Sequence, residues 1–270
     1  MTTLEAGRAG SGLVAGPRPP RPGVVAASLV FGGRALRKIR RTPVQIFDIV
    51  VHPVVFTVMF TYLFGGAVGG STDRYIGYLV PGILVMTLLV TTGTTGAALN
   101  VDLGSGAFDR FRTLSIHPAA PLLGAMLSDA VRYALASTVV VGLGLALGFR
   151  PEGNLGGVVA AVLLVIAFSV SLSWGWTTLA LWTKSPGASL GVTQAVLYPL
   201  SLFSNIFVDP ATLPGWLRTF VEVNPVSHLV TAVRDLMGGG APGREIVWIA
   251  LACAALTLVF APLSVRLLRV

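Results

Sequence analysis

The chain has 270 residues, of which 54% are hydrophobic and 11% charged, and a net charge of +8. Soluble domains carry about a quarter charged residues. This composition therefore excludes an ordinary soluble enzyme and defines an integral membrane protein, since several apolar runs reach the roughly 20 residues needed to cross a bilayer core of about 30 Å. The excess of positive charge is gathered before the first run, at Arg8, Arg18, Arg21, Arg34, Arg37, Lys38, Arg40 and Arg41. Charge placed there reads as a topology signal that holds the amino terminus in the cytoplasm, not as a nucleic-acid surface.

In chain order, residues 1–23 are rich in Gly and Pro and lack the apolar core of a signal peptide, so a disordered cytoplasmic tail is expected. Residues 24–41 carry Arg34, Lys38 and Arg41 at helical spacing, with Leu36 and Ile39 on another face. Too short and too basic to span, this segment predicts an interfacial helix anchored by Arg34, Arg37, Lys38 and Arg41 on lipid phosphates, or else a plain basic stop. Spans follow over 44–64 and 77–99, the second with Pro81 in its first turns, where a missing N–H costs little. Then comes DLGSGAFDRFRTLSIHPAAP (102–121), which sets Asp109, Arg110 and Arg112 among Phe108, Phe111 and Leu114 and has a helical pattern of its own. Further spans are expected over 120–148, 156–183, 188–207 and 246–267.

Six spans put both termini on one side. The inside set is then the basic tail with Arg110, Arg112, Lys184, Arg266 and Arg269, whereas Arg74, Arg150, Arg218, Arg234 and Arg244 fall outside, each beside a nearby acid. The outer segment 208–243 is too apolar for a solvated loop and too Pro-punctuated for a span. It predicts two short helices, 212–222 and 225–237, dipping back into the outer leaflet. Helices lying flat on the surface are the alternative.

Catalytic chemistry is missing from the sequence. No GxxxxGK[ST] phosphate loop occurs, and GGAVGGST and GSGAF lack its lysine. His52, His117 and His228 stand in separate elements without metal-ligand spacing, and Ser169, Ser171 and Ser173 read as small helix-packing residues. Ionisable residues within spans are the default functional candidates. Asp48 with His52 and Asp129 with Arg132 share helix faces, and lie near cytoplasmic ends where snorkelling relieves the cost. Local pairing and a substrate or gating role both remain open for them.

YIGYLVPGI (75–83), DLGSGAFDRFRTLSI (102–116), GFRPEG (148–153) and NPVSHLVTAVRDLMGGG (224–240), in that order among six spans, resemble the membrane subunits of ABC-2 type exporters, especially the daunorubicin-resistance-like branch. The likeness covers residues 24–270. It implies an all-α, type V exporter-like membrane domain with an elbow helix over 24–41, a cytoplasmic coupling helix over 106–114 and outer re-entrant helices. It also implies two copies of a separate ABC-type ATPase subunit that bind ATP and Mg, and a second identical or paralogous permease. On the coupling helix, Phe108, Asp109, Arg110, Phe111 and Arg112 correspond to the ATPase-docking surface. Ser115, His117, Pro118 and Ala125 depart from the usual pattern around it.

The resulting expectation is a multi-pass permease of the cell membrane, with both termini cytoplasmic and membrane lipid but no nucleic acid as partner. It would bind no cofactor itself and would export a hydrophobic or amphiphilic compound such as a drug, antibiotic, lipid or glycolipid. A path lined by spans one, two and five would offer Phe47, Thr57, Thr91, Thr95, Gln194 and Asn205, mixing polar groups with apolar wall. The alternative is an ion-coupled secondary drug transporter, which needs mid-membrane coupling groups and often internal repeats.

Overall fold

The computed structural model describes residues 29–30, 33, 43–68, 72–105, 120–207 and 209–269, with the side chains of 43–49, His52, 64–68, 72–74 and Arg269 outside that description. The expected tail, most of the elbow segment with Arg34, Arg37, Lys38 and Arg41, and the coupling segment 106–114 lie outside the described residues.

The described chain is helical. In order run α1 (Pro43–Val68), α2 (Thr72–Gly104), α3 (Ala120–Ala146), α4 (Leu155–Thr183), α5 (Pro186–Leu202), a 3-10 turn (Pro210–Thr212), α6 (Gly215–Val223), α7 (Pro225–Met237) and α8 (Gly243–Arg269). Four stretches among the described residues are long and apolar enough to cross a membrane: Tyr75–Gly104, Ala120–Ala146, Leu155–Thr183 and Gly243–Leu268. At 17 residues, α5 rises only about 25 Å. It covers the first part of the expected span 188–207 and stops as a helix at Leu202.

Local signals account for several boundaries. Asn154 caps α4 by accepting from the Gly157 N–H at 2.8 Å. Ser185 caps α5 and Asn224 caps α7, each followed by a proline at the first helical position, where no N–H partner is lost. Pro199 weakens the last turn of α5.

α2 is the axis of the bundle, packed against α1, α3, α4, α5 and α7. Its Leu79, Val80, Ile83, Leu84, Val85, Leu88 and Leu89 are all buried, as expected of a helix that is apolar all round. By contrast α8 packs on α4 and α7 and leaves Val247, Leu251, Leu258 and Val259 more than half exposed, a face suited to lipid tails.

Two ends of the bundle are distinct. The Gly153 N–H donates to the Met237 carbonyl at 2.9 Å, so the α3–α4 turn meets the end of α7. At the opposite end the Asn100 amide donates to the Ser185 carbonyl at 3.3 Å, joining the end of α2 to the α4–α5 break. The expected coupling segment connects helices at this second end.

Candidate functional site

A buried polar core ties α2, α3 and α4 together toward the second end. Arg132 and Asp129 on α3 form an ion pair, Nη1 to Oδ1, at 2.8 Å. The other carboxylate oxygen accepts from the Thr95 hydroxyl at 2.8 Å, and Arg132 Nη2 donates to Thr94 Oγ1 at 2.7 Å. Tyr133, fully buried, meets Ser173 Oγ on α4 at 2.7 Å, and Ser173 in turn donates to the Ser169 carbonyl at 2.8 Å. One turn further along α4, Trp176 Nε1 donates to Thr92 Oγ1 at 3.0 Å.

The expected pairing of Asp129 with Arg132 is present, but the pair does not snorkel. It is directed inward at α2, with Asp129 at 6% and Arg132 at 9% exposure. The run Thr91–Thr95 offers hydroxyls and a carbonyl to both charged groups inside the bundle, although Arg132 Nε is buried without a hydrogen-bond partner among the described residues. Uncompensated charges there would cost several kcal/mol.

The second polar cluster lies at the α7 end, around 203–207. When α5 ends at Leu202 its last carbonyls lose their helical donors. Asn224, while capping α7, donates its amide to the carbonyls of Leu200 and Phe203, both at 2.8 Å. Arg234 Nη2 donates to the Asn205 and Ile206 carbonyls at 2.8 and 3.1 Å, and its Nε to the Tyr78 carbonyl on α2 at 3.1 Å. The Tyr78 hydroxyl donates to the Asn205 carbonyl at 3.0 Å, and the Asn205 amide to Thr231 Oγ1 at 2.9 Å. Aromatic contacts close the ring: Phe207 stacks on Phe60 of α1 at 4.3 Å, and Phe203 meets Phe220 of α6 edge-on. Burial is the largest influence on Arg234 and lowers its pKa from the ordinary arginine value. Asp235 beside it has its pKa raised, first by burial and then by the charge of Glu245.

Each outer arginine has an acid nearby in sequence, but that acid is not always its hydrogen-bonding partner. Arg218 does pair with Glu222, at 2.9 Å. Arg150 instead donates to the Leu145 and Phe149 carbonyls, and Arg234 to the carbonyls just described. Glu245 turns from its neighbour Arg244 to His228, 2.5 Å away. Adjacent residues on a helix do not face each other, and neither Asp235 with Arg234 nor Glu245 with Arg244 forms an ion pair among the described residues. The Arg74 side chain lies outside the described residues.

Of the path candidates, Thr91 and Thr95 come together at the Asp129–Arg132 pair. Gln194 sits elsewhere, on α5 facing Gly93 of α2, and Asn205 lies under α7. Thr57 is buried on α1, its hydroxyl without a partner among the described residues. Phe47 belongs to α1, with its side chain outside the description. Tyr78, Tyr133, Ser173, Asn224 and Arg234 join these clusters without having been marked as candidates.

A helical membrane bundle organised in this way matches the family model of the ABC-2 type transporter over residues 28–237. The chain is 44% identical over 268 residues, 99% of its length and 95% of the relative's, to the daunorubicin resistance ABC transporter permease protein DrrB1 of Streptomyces coeruleorubidus. It is 28% identical over 221 residues, 80% of its length and 78% of the relative's, to the "Probable doxorubicin resistance ABC transporter permease protein DrrC" of Mycobacterium tuberculosis. The doxorubicin resistance permease DrrB of that organism is 25% identical over 193 residues, 72% of this chain and 67% of its own. The chain belongs to the ABC-2 type transporter family of membrane permeases.

Proposed function

We propose that this chain is the membrane-spanning permease of an ATP-driven exporter for hydrophobic or amphiphilic compounds, antibiotics of the kind named for its relatives among them. The observation that carries this reading is a 44% identity that extends over 99% of the chain to a daunorubicin resistance permease. ATP and Mg would be held by two copies of a separate ATPase subunit, because the sequence has no phosphate loop. The permease would cross the cell membrane six times, with both termini cytoplasmic, and pair with an identical or paralogous permease.

In this reading the segment 106–114 docks on the ATPase through Phe108, Asp109, Arg110, Phe111 and Arg112, and 24–41 forms the elbow in the interface. Motion imposed at that end reaches α2, α3 and α4 together because the Asp129–Arg132 core fastens them. The Arg234 cluster, at the far end, holds 203–207 across the outer side of the path. Closure and release of that segment would give the two states that ATP turnover biases. The path itself would run past Phe47, Thr57, Thr91, Thr95, Gln194 and Asn205.

The test is co-purification in mild detergent with an ABC-type ATPase subunit from the same cells, followed by ATP-dependent uptake of an anthracycline into inverted vesicles. Association together with ATP-dependent uptake is expected. No associated ATPase, or uptake driven by an ion gradient without ATP, would overturn the reading.

A further inference from the structure

Where α8 meets α4, α6 and α7 lies a cavity of about 390 Å³ lined by the apolar Phe168, Val223, Pro225, Trp248, Ile249 and Ala252 together with the polar Glu222, His228 and Arg244. It is amphiphilic along its length. Arg244 opens the first turn of α8 and Ala252 lies eight residues further on, so charge and apolar floor are about 12 Å apart along the helix. Phe168 and Ile249, at 3% and 2% exposure, form the inner wall, whereas Trp248 is half exposed and stacks on His228. Val247 and Leu251, the sequence neighbours of Trp248 and Ala252, are exposed apolar side chains.

The charged groups here are unequal in what they have free. Glu222 is held by Arg218 and Glu245 by His228. Arg244 is exposed and has no hydrogen-bond or ion-pair partner among the described residues. A guanidinium with its donors free, on the wall of an otherwise apolar cavity, is complementary to a phosphodiester carrying acyl chains. We propose that this cavity is a binding site for a glycerophospholipid of the surrounding leaflet, with its phosphodiester on Arg244 and one acyl chain against Phe168, Ile249 and Ala252, flanked by Trp248.

The full chain in phosphate-free maltoside micelles, treated with phosphatidylglycerol bearing a photoactivatable diazirine in one acyl chain, tests this directly. Adducts are expected on the peptides containing Phe168 and Ile249–Ala252. Diacylglycerol with the same diazirine chain is expected to label them about tenfold less or lower still, the effect of losing one charge-assisted hydrogen bond. Arg244→Gln should reduce phosphatidylglycerol labelling to the diacylglycerol level, and Ala252→Phe should lower labelling by both probes. Equal labelling by the two probes, or an unchanged Arg244→Gln, overturns the phosphate assignment. Labelling spread evenly over the other helices overturns the site. Arg244 is exposed and its replacement leaves packing untouched, so the probe contrast decides the matter even where Ala252→Phe fails to fold.

Discussion

Arg234 lies over the ring of Tyr78, its guanidinium carbon 3.5 Å from the ring centroid, while the same guanidinium holds the carbonyls of Asn205 and Ile206. One side chain on α7 thus grips α2 and the segment after α5 together. The planar guanidinium can stack and donate in several directions at once, which an ammonium cannot.

Arg234→Gln and Arg234→Lys are therefore both expected to loosen 203–207. A chain with Cys253→Ala, which removes its single cysteine, and Phe207→Cys would report this through labelling by a membrane-impermeant maleimide on intact cells. The labelling rate should rise about tenfold in either variant, for roughly 1.4 kcal/mol of lost closure. Equal rates with Arg234 intact and replaced would dismiss the clamp.

Gly82 supports the same closure from α2. A Cβ added there would meet the Ile206 carbonyl oxygen at 2.6 Å, a backbone atom that cannot swing aside. Gly82→Ala should lower thermal stability in detergent by about 1–3 kcal/mol and mimic Arg234→Gln in the maleimide assay. Gly77→Ala, where nothing stands within 4 Å of the added carbon, is the control. It should be neutral or stabilising by up to about 1 kcal/mol, since alanine is the better helix former.

The helices were largely legible because long apolar runs and the Asn154, Ser185–Pro186 and Asn224–Pro225 starts are local signals. The end of α5 was not. Residues 203–207, FSNIF, continue the apolar pattern, and what draws them out of the helix is capture by Asn224 and Arg234, which lie far along the chain. The spacing of Asp129 and Arg132 revealed that they share a face, but not that the face turns inward, because that depends on Thr94 and Thr95 arriving from α2. That Glu245 pairs with His228 and leaves Arg244 without an ion pair among the described residues is a tertiary fact the adjacent sequence does not carry.

The Asp129–Arg132 pair allows a test that separates mutual compensation from independent roles. Asp129→Asn or Arg132→Gln alone leaves one buried charge without its partner, at a cost of about 3–5 kcal/mol. The double variant should recover part of that loss, giving a favourable coupling in a double-mutant cycle of thermal stability. Strict additivity would show that the two charges do not depend on one another. Tyr133→Phe should cost about 1 kcal/mol by removing the hydrogen bond to α4.

Docking through 106–114 predicts a separation of function. Phe108 and Phe111 fall three apart, so on a helix they share a face, while Asp109, Arg110 and Arg112 lie around it. Replacing both phenylalanines by alanine removes apolar contact area without introducing charge into a span, so membrane insertion and expression should stay normal. In vesicles with the partner ATPase present, ATP-dependent uptake should fall by about tenfold or more, as each phenylalanine buried at an interface contributes on the order of 1–3 kcal/mol. ATP hydrolysis by the ATPase should continue but lose its response to substrate. Normal uptake by a normally expressed double variant would place the docking surface elsewhere. Restoring the apolar face with Phe108→Leu and Phe111→Leu should recover much of the transport, because apolar contact is the property that matters there, and failure of that rescue would assign the phenylalanines a role tied to their rings.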